Sequence, residues 1–503
     1  MNRGRLSGVL TALVAGAAVL VAACAPPPAP GPGLATDGAP GVADRPDSGT
    51  GERERPEWSA PQRELDWEPC ADSRSEGLPQ NTEVTCSLVG ETPVLRLTTP
   101  STPREAAPLV VVAGPETPPD TLATRFAAAG PEITDARPVV IVDHVGRNGP
   151  AGTCLTFPAR RTLDELAQRG VDPGAPEVRG ALADASQSCT DQLQGRELRF
   201  GSSGAADVLE RLRQQWDVPG LAVLGMGTGG RTALSYATAY PGRLSLLVLD
   251  SPAPHDGDQE AAARTALDGS DTALRLWAAS CTHPECGPGE ADQKVEAVER
   301  ALDRARDTET VVPAALLSDV VRSALADLSG ASAAEPAPGD VLLGDLVAAG
   351  PDEPPASVRA RAAELASSSL PYVAGCSDLS RRVPVSRIEE LQTEWGRQGP
   401  FGEILAGQLA ACSTWPVPGP SPVELPGAVP VLLLGGTADP VAGAAMVEPT
   451  AGTLTAAGAA DVRTLTWGAP GSRVLLHSAC ARTAVADFLD DPATAERSGA
   501  CPS

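Results

Sequence analysis

Short apolar runs alternate with helical patterns along most of the chain. Leu109–Val112 and Val139–Val142 contain only Leu, Val and Ile, the make-up of strands covered on both faces. Residues 82–88 and 94–97 alternate apolar and polar positions around Gly90-Glu91 and predict two antiparallel strands. Helical patterns are expected over 120–129, 161–170, 178–193 and 204–216. Two more apolar runs, 221–224 and 244–249, enclose a helical stretch of about 231–240 that Pro241-Gly242 ends. Strand, turn, helix, strand in that order is a βαβ unit with parallel strands. Residues 259–279, 290–306, 313–328 and 357–369 are again helical in pattern, with a loop signal at 331–338. Strand character returns at 429–434 and 462–466, with helices near 444–457 and 481–489. No internal repeat is present. The pattern predicts an α/β class: a mostly parallel central sheet, helices on both faces, and an inserted helical cap.

The turn in the βαβ unit reads Gly225-Met226-Gly227-Thr228-Gly229-Gly230. It has the frame of a nucleophile elbow, G-x-S-x-G, in which small residues let strand and helix approach and one side chain is pushed into a cleft. Gly225 and Gly229 take the two glycine positions. The nucleophile position is Gly227, which has no side chain to attack with.

At 503 residues the chain can bury one large core or two. Its formal charge of −25 argues against nucleic acid as a partner, because phosphate binding needs a basic surface. Of 39 basic residues only Lys294 is a lysine, and with 51 glycines and 50 prolines the composition is that of a GC-rich bacterial genome. Residues 1–23 have the form of an export signal, with Arg3 and Arg5 ahead of an apolar stretch too short for a comfortable membrane span. Val21-Ala22-Ala23-Cys24 resembles the bacterial lipobox, so Cys24 is the expected lipid anchor, tethering a soluble domain to a membrane face. Residues 24–64 are rich in Pro, Gly, Asp and Arg and predict a disordered tether. The domain plan is then 65–255 for the first part of the core, 256–372 for the cap and 373–503 for the rest of the core. Ten further cysteines form an even set, which in an exported chain argues for disulfides. Neighbour pairing is expected: Cys70 with Cys86, Cys154 with Cys189, Cys281 with Cys286, Cys376 with Cys412, and Cys480 with Cys501. Only the short 281–286 loop is favoured by proximity, and spacing leaves the other connectivities open.

With elbow, cap and closing αβα in place, the chain resembles the α/β-hydrolase superfamily, and within it the secreted actinobacterial tripeptidyl aminopeptidases, relatives of proline iminopeptidases. The marks run from Trp67 to Cys501. They include Asp143 and Gly146, Tyr236 and Pro241, Gly375-Cys376-Ser377-Asp378, Cys412-Ser413-Thr414-Trp415-Pro416, Gly436-Thr437-Ala438-Asp439-Pro440 and Ser478-Ala479-Cys480. The resemblance implies a serine nucleophile, a histidine base and an aspartate that orients it. Here the nucleophile position is Gly227, the acid position keeps Asp439, and the base position, counted back from Cys480, falls on Ser472. The family's Gly-Gly-Pro-Gly oxyanion turn reads Ala113-Gly114-Pro115-Glu116, leaving Gly114 and the backbone N–H of Thr228 as oxyanion-region residues. A carboxylate at Glu116 would repel a developing oxyanion. The family's D-x-R-G-x-G-x-S loop reads Asp143-His144-Val145-Gly146-Arg147-Asn148-Gly149-Pro150, without its arginine, second glycine or serine.

Losing nucleophile, base and oxyanion turn together leaves no route to an acyl-enzyme. The expectation is an exported, lipid-anchored protein that is inactive as a serine hydrolase and binds a peptide or small acyl-like ligand in its cleft. No cofactor and no metal are expected. One alternative is an active exopeptidase or esterase with a rearranged site, using Thr228 as nucleophile or His477 as base. Another is an envelope interaction or scaffold protein. Asp439 also suits a turn or helix cap. His283 belongs to a small disulfide loop rather than a metal site, and His144 and His255 are expected in solvent-exposed loops.

Overall fold

The computed structural model describes residues 55–71, 77–307, 310–330, 335–349, 353–416, 424, 425, 427, 429–493 and 495–503. The export signal, Cys24 and the tether up to residue 54 lie outside them.

Among the described residues an 11-stranded sheet carries the fold. At one edge β1 (Glu68–Pro69), β2 (Glu83–Val89) and β3 (Thr92–Thr98) run antiparallel. The centre is parallel and consists of β4 (Leu109–Val112), β5 (Val139–Val142), β6 (Leu221–Met226), β7 (Leu244–Asp250) and β8 (Pro430–Asp439). The short β9 (Gly443–Ala444) turns back on β8, while β10 (Asp461–Pro470) and β11 (Ser498–Cys501) close the far edge in parallel. The spatial order is β1-β2-β3-β5-β4-β6-β7-β8-β10-β11.

Helix α1 (Pro119–Ala129) follows β4. Between β5 and β6 lie α2 (Pro150–Thr153), α3 (Phe157–Glu165), α4 (Pro176–Leu193) and α5 (Ser202–Trp216), and α6 (Gly229–Ala239) links β6 to β7. A helical block then intervenes: α7 (Gln259–Ser280), α8 (Ala291–Ala305), α9 (Ala314–Leu325), α10 (Pro338–Ala349), α11 (Ala356–Leu365), α12 (Leu370–Ser377), α13 (Val385–Trp395) and α14 (Gly402–Gln408). Helices α15 (Val447–Ala456) and α16 (Ala479–Asp490) complete the last strands.

The two-residue period of a strand divides the central runs between two cores. Val110, Val112, Val140 and Val142 face Leu209 and Leu212 of α5 and Tyr236 of α6. Leu109, Val111, Val139 and Ile141 face Leu122 and Phe126 of α1 and Val485 and Phe488 of α16. A third cluster belongs to the helical block and includes Trp277, Leu317, Leu343 and Trp395, joined by Leu166 and Leu182 from the α3–α4 region.

Two boundaries differ from the sequence reading. The helical block does not end near residue 372; α12, α13 and α14 extend it to the turn at Cys412. Residues 55–64, expected as tether, lie against the core. The Trp58 indole donates to the Pro108 carbonyl at 3.1 Å and is covered by the Arg137 guanidinium, and the Gln62 N–H donates to the Trp216 carbonyl at 2.8 Å. A tryptophan on an apolar edge outweighs the surrounding Pro and charge.

Five disulfides are present, with neighbour connectivity: Cys70–Cys86, Cys154–Cys189, Cys281–Cys286, Cys376–Cys412 and Cys480–Cys501. They mark an oxidising, extracytoplasmic setting. Among the described residues no helix is long and apolar enough to cross a membrane.

Candidate functional site

The site lies at the carboxyl ends of the parallel strands, where open α/β sheets place ligands. The elbow runs from β6 into α6. A Cβ on Gly229 would stand 2.2 Å from the Val112 carbonyl oxygen, and one on Gly225 2.8 Å from the Gly230 Cα, so both glycines are required for strand and helix to approach. Gly227 differs. Its φ is +56°, the strained conformation of an elbow, yet a Cβ there would meet nothing within 4 Å. The nucleophile's position is built and unobstructed, and it carries a hydrogen atom.

The acid position is Asp439, at the end of β8 and 1% exposed. Its Oδ1 accepts from the Val441 and Ala442 N–H groups at 2.6 and 2.9 Å, and its Oδ2 accepts from the Ser472 hydroxyl at 2.5 Å. Asp439 is thus both a turn cap and the partner of the base position. Burial pushes its carboxyl above the ordinary range, opposed by the Ser472 hydroxyl and the two N–H groups. Ser472 is 2% exposed and gives its proton to Asp439. It offers no imidazole nitrogen to take a proton from a nucleophile.

The loop bearing Ser472 is pinned from several sides. Gly471 N–H donates to the Ala438 carbonyl, and Ser472 N–H to the Ala326 carbonyl of the helical block. The buried Asp250 carboxylate accepts from the Val474 and Leu475 N–H groups at 2.8 and 3.0 Å. Burial lifts its pKa to about 6 despite those bonds. Asp250 was not singled out from the sequence, where it reads as the last residue of an apolar strand.

The oxyanion turn is filled from within. The Thr228 hydroxyl, at the residue that begins α6, donates to both oxygens of Glu116 at 2.7–2.8 Å. A helix N-terminus favours an anion, and here the protein's own carboxylate takes that place. Gly114 permits the contact, since a Cβ on it would fall 1.6 Å from the Thr228 Oγ1. Glu116 is exposed and partly screened by water, but its charge still stands where it would oppose a developing oxyanion. The turn is held by Arg147, whose guanidinium donates to the Pro115 and Thr117 carbonyls and to Asp143 at 2.7 Å. The arginine absent from its expected place in the 143–150 loop has a counterpart two residues later in Arg147.

The other candidates stay apart. His477 is buried, stacks on Trp467 and lies 3.4 Å from Asp327, away from the Asp439–Ser472 pair. Burial lowers its pKa to about 4, so it is neutral at pH 7. His144 is 3% exposed and bonds the Phe200 carbonyl at 2.9 Å; the expected exposed loop histidine is a core residue because the loop folds under the 200–202 turn. His255 is half-buried and held below its usual pKa by burial. His283 pairs with Glu285 at 2.7 Å beside the 281–286 disulfide. Among the described residues no three His, Cys, Asp or Glu side chains are grouped to hold a metal.

Above the elbow is a cavity of about 500 Å³, within the range of small-molecule sites. Its floor includes Ala113, Met226, Gly227, Thr228 and Ser472, and its roof Leu163, Leu316, Leu365 and Tyr372.

A parallel sheet in this order, a glycine-framed elbow after β6, an acid loop after β8 and a helical block over the strand ends define an α/β-hydrolase fold. Residues 398–501 match the family model for TAP-like proteins, which the chain resembles over that stretch. Comparison with curated proteins gave no match. Structures with similarity to the chain include a hydrolase from Oleispira antarctica, 12% identical over 79% of this chain and 94% of that one, TM-score 0.35. They also include an alpha/beta hydrolase fold protein from Nakamurella multipartita, 14% identical over 81% and 98%, TM-score 0.33. A third is naproxen esterase from Bacillus subtilis, 10% identical over 83% and 95%, TM-score 0.34.

Proposed function

We propose that this protein is a non-catalytic member of the α/β-hydrolase fold, a pseudoenzyme that binds a peptide or small ligand in the cavity between core and helical block. The observation that carries this reading is the combination at one centre of Gly227 on an intact elbow, Ser472 bonded to Asp439, and Glu116 on Thr228. Each substitution removes a different requirement of acyl transfer: the attacking atom, the proton acceptor and the oxyanion site. The cavity itself remains open and largely apolar, which is what a binding protein needs. The five disulfides and the lipobox-like segment ending at Cys24 support an exported protein held at a membrane by lipid.

The test pairs turnover with binding on the purified chain. Aminoacyl and short acyl ester substrates should show no hydrolysis above the buffer rate, while equilibrium dialysis against peptide and acyl pools should retain a ligand. Hydrolysis that survives extensive purification would support a rearranged hydrolase instead. No retention from any pool would remove the ligand-binding half of the reading.

A further inference from the structure

We propose that the cavity recognises its ligand through a carboxylate, bound by Arg473 with Arg361 beside it; this rests on the ligand-binding reading above. Arg473 follows the base position and lines the cavity. Its backbone is left-handed, φ 55°, and its N–H donates to the Ser251 Oγ at 3.0 Å; Ser251 is itself left-handed, φ 54°. A non-glycine residue held in this conformation at the cavity wall, bonded to a second one buried behind it, is strain that the surrounding structure maintains. The strained loop sends the guanidinium toward the oxyanion turn, where its Nη1 lies 3.4 Å from the Thr117 Oγ1. Among the described residues no carboxylate comes within 4 Å of it.

Arg361 lines the same cavity, and its carboxylate partner, Glu364 at 2.6 Å, is half exposed and screened by water. Arg125 lies close enough to interact electrostatically with both arginines, and its own ion pair is with Asp327. Three guanidiniums therefore share two carboxylates, and His477 beside them is neutral. The carboxylates that also line the cavity are engaged elsewhere: Glu116 by Thr228, Asp378 by Ser202, Asp319 by Gln408 and Arg322, and Asp164 facing Arg160. In a chain of net charge −25, a local excess of positive charge in an apolar chamber is a selective feature. A guanidinium's fork of N–H donors fits a carboxylate with two parallel bonds. Glu116 keeps the anion off the former oxyanion position, which leaves the Arg473 end. The ligand class is a carboxylate with an apolar body, whose source is either a fatty acyl chain or a peptide C-terminus.

The experiment is calorimetric titration of the full chain with four probes: decanoate, methyl decanoate, trialanine and trialanine amide. One free acid should bind about 10- to 100-fold more tightly than its neutral counterpart, the range of a charge-assisted hydrogen bond. Which acid binds identifies the source. Arg473→Gln should abolish the preference and Arg473→Lys should keep part of it. Arg361→Gln, on a surface helix of the cap, provides a second variant should the 471–475 loop fail to fold with glutamine. Equal binding of acid and neutral partner would overturn the carboxylate proposal and leave the ligand-binding reading intact. A preference that survives in both glutamine variants would overturn the assignment to these arginines. Failure of all four probes to bind would overturn the carboxylate proposal, while the ligand-binding reading is decided by the dialysis pools.

Discussion

At the residue scale, the proposed loss of chemistry rests on side chains, while the turn around Gly227 has the backbone of an elbow. A serine at position 227 would have room for its Cβ and would have to accept φ +56°, a cost of about 1–2 kcal/mol for a residue with a Cβ. A glycine adopts that φ without the strain and offers no side chain to attack with. Glu116 is the second obstacle, because its charge stands where negative charge would develop. In a Gly227→Ser/Ser472→His protein, adding Glu116→Gly should raise the rate of fluorophosphonate labelling by about 100-fold, the size of an oxyanion-site effect. An unchanged rate in a time course would show that Glu116 does not oppose the oxyanion. The family resemblance singled out Gly227, Asp439 and Ser472; the structure puts Gly227 in the turn between β6 and α6 and the Ser472 hydroxyl on Asp439. Arg147, Asp250 and the Arg125–Arg361–Arg473 group were not legible in the sequence, because their roles depend on which loops meet in space.

At the element scale, the βαβ elbow and the long buried strands could be read from the chain because apolar runs and glycine turns are local signals. Helix α12, sequence LPYVAGCS, is apolar around much of its surface and has no amphipathic period to find. Strand β11, Ser498–Cys501, contains no β-branched residue and is held instead by pairing to β10 and by the Cys480–Cys501 bridge. The elbow makes a sharp prediction about glycines. Gly229→Ala drives a Cβ to 2.2 Å from the Val112 carbonyl oxygen and should destabilise the fold by about 3 kcal/mol or more. Gly227→Ala should cost only about 1–2 kcal/mol, and urea unfolding of the two variants measures the contrast. Within α7, burial lifts Asp271 to a pKa of about 7, with Arg275 opposing and Asp268 and Glu299 reinforcing. A carboxyl raised in the folded state stabilises it fully below the unfolded pKa of about 4, and that stability is lost as pH rises through 7. Asp164 and Asp250, both near 6, act in the same direction. His477, lowered to about 4, acts in the opposite one, its contribution falling away as pH drops from about 6.5 to 4. Asp271→Asn should therefore add about 1–3 kcal/mol to the unfolding free energy at pH 8 and little at about pH 4. Equal effects at the two pH values would contradict the assignment.

At the scale of the whole molecule, the helical block packs on the core and is tied within itself by a disulfide. Cys376–Cys412 ties α12 to the turn after α14 and closes a separation of 36 residues. Removing it as Cys376→Ser/Cys412→Ser should cost about 3–4 kcal/mol on loop-entropy grounds, read as a shift in the urea midpoint at constant slope. The roof of the cavity depends on this tie, since Tyr372 of α12 lines it and stacks edge-on against Trp415. On the proposed reading the molecule keeps a hydrolase's scaffold and cleft while its centre is occupied by Gly227, Ser472 and Glu116. Fluorophosphonate treatment of the natural protein with intact-mass readout tests that claim most directly. The account predicts no mass increase, whereas the Gly227→Ser/Ser472→His/Glu116→Gly protein gains one adduct at residue 227. A stoichiometric adduct on the natural chain would contradict the account, and the residue carrying it would be the true nucleophile.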